Sequence, residues 1–491
     1  MLEKELNEAP IYDPYDDSYD DKIVLCKNSW GKETKVYEVT LLEEPILEKF
    51  EITNLMFADD VLMFSNRDAA SMMLLLKSFS TFSKTSGLKV SASKSNAYFN
   101  GVNEELKCDF LSVSGFKEGK LPFRYLGMPI QTTRLKKKDC ECLVDKICNR
   151  IHSYGARKFS YTGRLTLVQH VLNSLHSYWA SLFVLPKGVI QRIEATCRNF
   201  LWDGSAEYRR SPLVARDTIC RPKQKGGLGL KNQELWNIAM VGRLVDWIAT
   251  KKESLWVQWV NENYLKGSSW QEYTATSNSS WVWRRICKVK QVIVNGYSQG
   301  VCQVQHTGYT PVGCYEWLRG ARTKVDWHNG IWDSWNLPKH RFMGWLIAHK
   351  SLHTNSRLKG FGMNVDGMCF LCGQAEEIQE HLFFECAFSR RVIQEAMKIF
   401  GLRLPDFDVL RLWCIHNTGL KTQRKVKNAM VLSAMYHVWQ QRNKNRIEQL
   451  VLRPRCSALL INDDMKRRIK ERDKRKLNTQ ELDWLGRLNF L

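Results

Sequence analysis

The sequence predicts an α+β fold in which a small mixed layer leads into a mostly helical chain and a compact cysteine-rich module. Three observations carry that prediction. Residues 52–64 read as two apolar runs around a pair of aspartates, a strand, turn, strand pattern. From Thr132 onward the apolar residues recur at helical spacing. Cysteines and one histidine then cluster between residues 369 and 386 at metal-ligand spacing.

Taken in order, residues 1–50 form an acidic, poorly ordered start, with several Asp and Tyr around Pro14. Residues 51–135 are a mixed domain. Its hairpin turns at Asp59 and Asp60. Asp68 stands as an N-cap before Met72, Leu75, Leu76, Phe79 and Phe82, and Gly87 occupies a helix C-terminus. Leu88 to Ala92 and Phe123 to Ile130 read as short strands, the second ended by Gly127 and Pro129.

Residues 136–265 are helical, with one wide apolar stripe running from Thr162 until Pro186 stops it. A glycine-rich turn interrupts them at residues 225–229. It lacks the Lys-Ser/Thr of a phosphate-binding loop. Residues 266–314 are Ser-rich and weakly periodic, a linker. Residues 315–400 hold the Cys/His module, and 401–491 return to helix with a basic end, eight bases in eleven residues from Lys466 to Lys476.

Composition narrows the function. The chain has 73 Lys and Arg against 51 Asp and Glu, a net charge of +22. Residues 1–60 hold 16 acidic and 6 basic residues, against 35 and 67 in the rest, so the remainder carries +32. That excess points to a polyanionic partner, nucleic acid first. There is no eighteen-residue uncharged apolar run and no apolar leader near the N-terminus, so the expectation is a protein of nucleus or cytoplasm, neither membrane-spanning nor secreted. Its 15 cysteines are then reduced thiols or metal ligands.

Two adjacent carboxylates beside Phe57, Val61 and Met63 are costly unless a cation offsets them. They suit either a solvated turn or a divalent-metal site of the two-metal phosphoryl-transfer kind, which needs carboxylates from more than one strand. Here the segments FADDVLMF (57–64), SGLKVSASKS (86–95) and FRYLGMPI (123–130) resemble, in order and spacing, motifs of plant non-LTR, LINE-type retrotransposon reverse transcriptases. The resemblance extends through RNFLWDG (198–204) and KGGLGL (225–230). It implies a partial polymerase palm followed by a helical thumb and connection. Asp59 and Asp60 match the catalytic, Mg²⁺-binding turn. Lys89 and Lys94 match basic positions that contact phosphate, although Ser91 stands where the family has Asn. The family's first palm motif, source of a further metal-binding aspartate, has no match before Phe57, so polymerase activity is expected to be lost in this chain.

The sharpest local signal is Cys369-x2-Cys372-x8-His381-x4-Cys386, a donor set that closes a tetrahedral zinc site. His381 and Cys386 are five apart, about 140° around an ideal helix, so a break near Phe384 is required for both to face one ion. The surrounding PKHRFMGWLIAHKSLHTNSRLKGFGM (338–363) and EEIQEHLFFECAFSRRV (376–392) resemble the reverse-transcriptase zinc-binding module. That resemblance implies structural Zn²⁺ on the four residues. It places Lys339, Arg341, Trp345 and Arg357 on a basic, aromatic arm facing nucleic acid. Trp439, Arg442 and Asn443 fit the family's downstream helix without a role.

The sequence therefore reads as a retrotransposon-derived reverse-transcriptase fragment that binds RNA, DNA or an RNA–DNA hybrid. Two alternatives stand beside it: an active RNA-directed DNA polymerase completed by another segment or chain, with Mg²⁺, and a zinc-stabilised protein-interaction module.

Overall fold

A computed structural model describes residues 54–57, 60–66, 68–87, 91, 94–131, 134–154, 159–207, 211–298, 303–304, 308–401, 421–450, 453–471 and 479–488. The acidic start, Asp59 and Lys89 lie outside these residues. The architecture is α+β and mostly helical, with four short two-stranded sheets among the described residues. The chain divides into two units, each assembled from separate stretches.

The first unit comprises Met1–Lys146, Ser174–Arg192 and Gln233–Gly320. Strands β1 (Asn54–Phe57) and β2 (Asp60–Met63) pair antiparallel, with Phe57 opposite Asp60 and Asn54 opposite Met63. Helix α1 (Ala69–Ser86) starts where the Asp68 carboxylate accepts from the Ser71 N–H at 2.8 Å and ends at Gly87 in the left-handed region. Both caps satisfy end groups that the helix cannot satisfy itself. Strands β3 (Asn96–Ala97) and β4 (Lys117–Glu118) pair in parallel around α2 (Glu104–Ser114). Met72, Leu75, Ala97 and Phe110 are the buried centre of this layer, and Phe110 packs edge-on to Phe99.

Phe123–Ile130 forms two strands where the sequence suggested a single one. Strands β5 (Phe123–Tyr125) and β6 (Met128–Ile130) fold back on each other through Leu126 and Gly127, whose φ values of 50° and 74° give a tight hairpin turn. Pro129 sits inside β6, on a strand with one neighbour, where a missing N–H is tolerated.

The helical part of this unit gathers around α8 (Gln233–Ala249), against which α5 (Ser177–Leu182), α10 (Trp281–Ser298) and α11 (Pro311–Leu318) pack. Asn237 of α8 donates to the carbonyls of Ala180 and Phe183 and accepts from the Leu185 N–H, so one buried amide caps the end of α5. Trp283, Ile286 and Ile293 of α10 are buried in the same core. The stretch 266–314, which reads as a linker in sequence, thus contains an eighteen-residue packed helix. Its Lys290 ammonium donates to the carbonyls of Trp270, Gln271 and Tyr273. A lysine on the inner face is what obscured the apolar period.

The second unit comprises Ile147–Asn173, Ile193–Asn232 and Ala321–Leu491. The long helix expected from Thr162 to Pro186 is broken: α4 (Tyr161–Leu167), with Ser160 as N-cap, passes into a π-helical turn at Val168–Leu172, and α5 begins anew at Ser177. Helices α13 (Pro338–Ala348), α15 (Ala387–Phe400), α16 (Lys421–Glu448) and α17 (Pro454–Lys470) form the body of the unit. Phe200, Trp345, Phe383 and Phe400 are buried in it, each contributing roughly 1.5–3 kcal/mol by leaving water.

The 225–229 segment is a turn, as its glycines predict. Gly226 adopts φ 87°, and a Cβ on Gly227 would lie 1.9 Å from the Arg221 carbonyl oxygen. The Trp345 indole and the His349 ring both donate to the Gly226 carbonyl, at 2.9 and 2.6 Å. Helix α13 therefore clamps this turn.

Candidate metal centre

Cys369, Cys372, His381 and Cys386 are brought together, their ligand atoms all within 4.8 Å of one another. The first two lie on a knuckle. The Cys369 N–H donates to the Ala375 carbonyl, the Gly373 N–H donates back to the Cys369 carbonyl, and Gly373 takes φ 66° to let the chain reverse. Met368 and Glu376 bridge across its base.

The problem of the five-residue spacing is solved by a π turn. His381–Glu385 is π-helical, and the Cys386 N–H donates to the His381 carbonyl at 2.7 Å. The wider turn brings both side chains to one side, which a straight α-helix does not. Cys386 then leaves helical geometry, with ψ 126°, and becomes the N-cap of α15. The expected break is present, two residues later than Phe384.

Cys369 and Cys386 sulfurs lie 4.0 Å apart, and the Cys372 sulfur is 3.3 Å from His381 Nε2. Zinc–sulfur bonds of about 2.3 Å at tetrahedral angles place two thiolates roughly 3.8 Å apart. A disulfide needs about 2.05 Å. Cys369 and Cys386 are 1% and 0% exposed, and four soft or borderline donors of this kind fit zinc. The Cys386 sulfur is stabilised as thiolate by the Cys369 thiol and by the Ser389 and Phe388 N–H groups at the start of α15, which pull its pKa down. Four protein donors leave no open position, so an ion held here supports structure rather than reacting.

Behind the knuckle sits an interaction that the sequence does not signal. Glu377, fully buried, accepts from the Asn355 N–H at 2.9 Å, from the Phe370 N–H at 3.0 Å, and from Arg442 Nε and Nη2 at 3.0 and 2.5 Å. Arg442 is 1% exposed and its guanidinium lies between the Phe370 and Trp439 rings, 5.2 and 4.9 Å away. A buried guanidinium that donates twice to one carboxylate oxygen, Glu377 Oε1, and has aromatic faces beside it is a stable arrangement for that charge. Arg442, without a role in sequence, thus fastens α16 to the knuckle.

A second buried cluster joins α13, α16 and α17. The Asp464 carboxylate accepts from Lys339 at 2.7 Å, His437 Nε2 at 2.9 Å and His340 Nε2 at 3.2 Å. Burial alone would raise the Asp464 pKa, but the hydrogen bonds from His340, His437 and Lys339 outweigh it and hold the carboxyl far below its usual range. Burial pushes the His340 pKa down, so the ring is neutral and donates Nε2–H. The ammonium of Lys339 supplies the charge that a metal would, and the cluster reads as a hydrogen-bonded support.

The nucleic-acid candidates separate by exposure. Lys94 is exposed in a turn. Arg357 is half-buried, donating to the Lys350 carbonyl beside the Phe361 ring. Lys339 is tied to Asp464, and Arg341 donates to the Asp333 carbonyl. Trp345 is a correction: at 0% exposure, bonded to Gly226, it has no face for a base. Of the aspartate pair, Asp60 opens β2, and Asp59 lies outside the described residues.

Comparison with known proteins agrees with this geometry. Residues 309–392 match the family described as zinc-binding in reverse transcriptase, which contains all four clustered ligands. Residues 39–130 match the reverse transcriptase (RNA-dependent DNA polymerase) family. Two separate segments of the chain are thus similar to reverse transcriptases. Among curated relatives, an Arabidopsis thaliana protein provisionally named a ribonuclease H protein is 28% identical over 172 residues, 34% of this chain and 28% of that protein. An uncharacterized mitochondrial protein of the same plant is 24% identical over 135 residues, 27% of this chain and 88% of its own length. The chain thus spans about 28% of the first of these relatives. Within the reverse-transcriptase match, Asp60 opens β2 of the β1–β2 hairpin, and within the zinc-binding match the knuckle and π turn supply the donors. No helix among the described residues is long and apolar enough to cross a membrane.

Proposed function

We propose that the chain is the later part of a LINE-type, non-LTR retrotransposon reverse transcriptase that binds RNA or an RNA–DNA hybrid through its phosphates, on a scaffold closed by structural zinc. The observation that carries this reading is the Cys₃His cluster, assembled at zinc-compatible distances inside a segment matching a reverse-transcriptase zinc-binding family. The net charge of +32 beyond residue 60 supplies the affinity. In this reading the thiolates and imidazole hold the ion, the ion fixes the knuckle against α15, and the Glu377–Arg442 pair transmits that order to α16.

The test is a titration of labelled single-stranded RNA and RNA–DNA hybrid at increasing salt. The logarithm of affinity is expected to fall linearly with the logarithm of salt, with little sequence preference. Affinity that does not change between low and physiological salt removes the proposal. The polymerase alternative is supported by the match of residues 39–130 to the reverse transcriptase family and by Asp60 at the start of β2. Its assay is primer extension with Mg²⁺. Extension abolished by Asp59→Asn supports a working polymerase, and no extension leaves nucleic-acid binding as the function. If the protein binds no nucleic acid even at low salt, a zinc-stabilised interaction module is the reading that survives.

A further inference from the structure

The second unit contains a cavity of about 490 Å³, within the roughly 300–1,000 Å³ of small-molecule sites. Its wall is aromatic. Tyr161 and Phe342 stack at a centroid distance of 5.2 Å and an interplanar angle of 8°, and Trp202 lies 6.0 and 6.1 Å from them. Trp439 also lines the space. Trp202 is 5% exposed, and its indole N–H has no hydrogen-bond partner. Asp203 Oδ1 is likewise buried without a hydrogen-bond partner, so these two lining residues hold one unsatisfied donor and one unsatisfied acceptor.

The charge at this cavity is positive. Arg446, exposed near the end of α16, lines it and has no carboxylate partner among the described residues. His353 lines it too and is kept neutral by burial and by the cationic Arg357, Arg446 and Arg442. The one acidic lining residue, Asp203, lies near Arg164. A flat aromatic wall and a guanidinium with no carboxylate partner among the described residues together suit a planar anion.

We propose that this cavity receives a single nucleotide, its base against the aromatic wall of Tyr161, Trp202, Phe342 and Trp439 and its phosphate at Arg446. The inference deepens the nucleic-acid-binding reading and rests on it. A base inside a duplex is already stacked and paired, so the nucleotide is either an unpaired one in a strand or a free one.

The experiment uses the full-length, zinc-loaded protein and follows tryptophan fluorescence and anisotropy with three probes: a short labelled single-stranded RNA, the matching duplex, and adenosine monophosphate. Single-stranded RNA is expected to quench tryptophan and to bind more tightly than duplex. Arg446→Glu and the cavity-filling Gln440→Trp are each expected to weaken single-strand binding about tenfold or more, the order of one lost base stack, with zinc content and circular dichroism as folding controls. Quenching by adenosine monophosphate, with competition against the strand, assigns the site to free nucleotides. Quenching by the strand alone assigns it to an unpaired base. If wild type binds single strand and duplex equally and both variants match it, the cavity proposal falls while nucleic-acid binding stands. If wild type binds none of the three probes, both fall.

Discussion

Glu377 and Arg442 offer the most decisive perturbation of the fold, because the charge of each is enclosed by protein. Arg442→Met removes two charge-assisted hydrogen bonds and leaves a carboxylate at 0% exposure with only the Asn355 and Phe370 amides. Bonds to charged groups contribute about 1.5–3 kcal/mol each. Removing one partner of a buried pair costs about 3–5 kcal/mol, so the two routes agree. Glu377→Gln keeps an acceptor but strands the guanidinium, and about 3 kcal/mol is expected on the same ground. The double variant has no unpaired charge and should lie above the sum of the singles by about 2 kcal/mol. The assay is urea unfolding followed by tryptophan fluorescence, repeated with zinc release to a chromophoric chelator as a second probe. Arg442→Met within about 1 kcal/mol of wild type, or strictly additive singles, would refute a buried, coupled pair.

Further outcomes follow from other parts of the molecule. Purified protein should contain one zinc per chain, and Cys372→Ser or a strong chelator should lower the thermal midpoint; elemental analysis finding none ends the zinc assignment. Because burial lowers the His340 pKa, the unfolded chain binds more protons below about pH 6.5, so stability should fall as pH drops through that point. The depressed Asp464 carboxyl adds stability that is present above about pH 3.9 and is lost below it. His340→Gln should flatten the slope between about pH 5 and 6.5, and melting curves across that range decide it. Gly227→Ala forces a methyl against the Arg221 and Thr218 carbonyls, 1.9 and 2.6 Å away, and should cost about 3 kcal/mol. An unchanged melting temperature there would contradict the turn.

Features governed by neighbours in the chain were legible. The Asp68 cap, the Gly87 stop and the β1–β2 hairpin follow from residues a few positions apart, and so does the cysteine knuckle. Even the break between His381 and Cys386 is forced by helix periodicity, although its form as a π turn is not. Contacts across long separations were not legible. Glu377 and Arg442 are 65 residues apart, and Asp464 meets His340 from 124 residues away. Trp345 illustrates the ambiguity of composition, since a tryptophan between basic residues suits base stacking and core packing equally. Only the Gly226 carbonyl beside its indole settles which. Lys290 misled in the opposite direction, since three carbonyls make a buried lysine acceptable inside a helix that polarity alone marks as linker.

The pairing of Glu377 with Arg442 also sets the size of the smallest autonomous piece. The recognisable zinc-binding segment stops at residue 392, fifty positions before the arginine that neutralises its interior. Excised at that border, the segment would keep every zinc ligand yet expose an enclosed anion to nothing but two amides, and a chelated ion would be asked to hold a hollow shell. A fragment meant to survive alone has to reach past residue 448, through the end of the helix that carries Arg442.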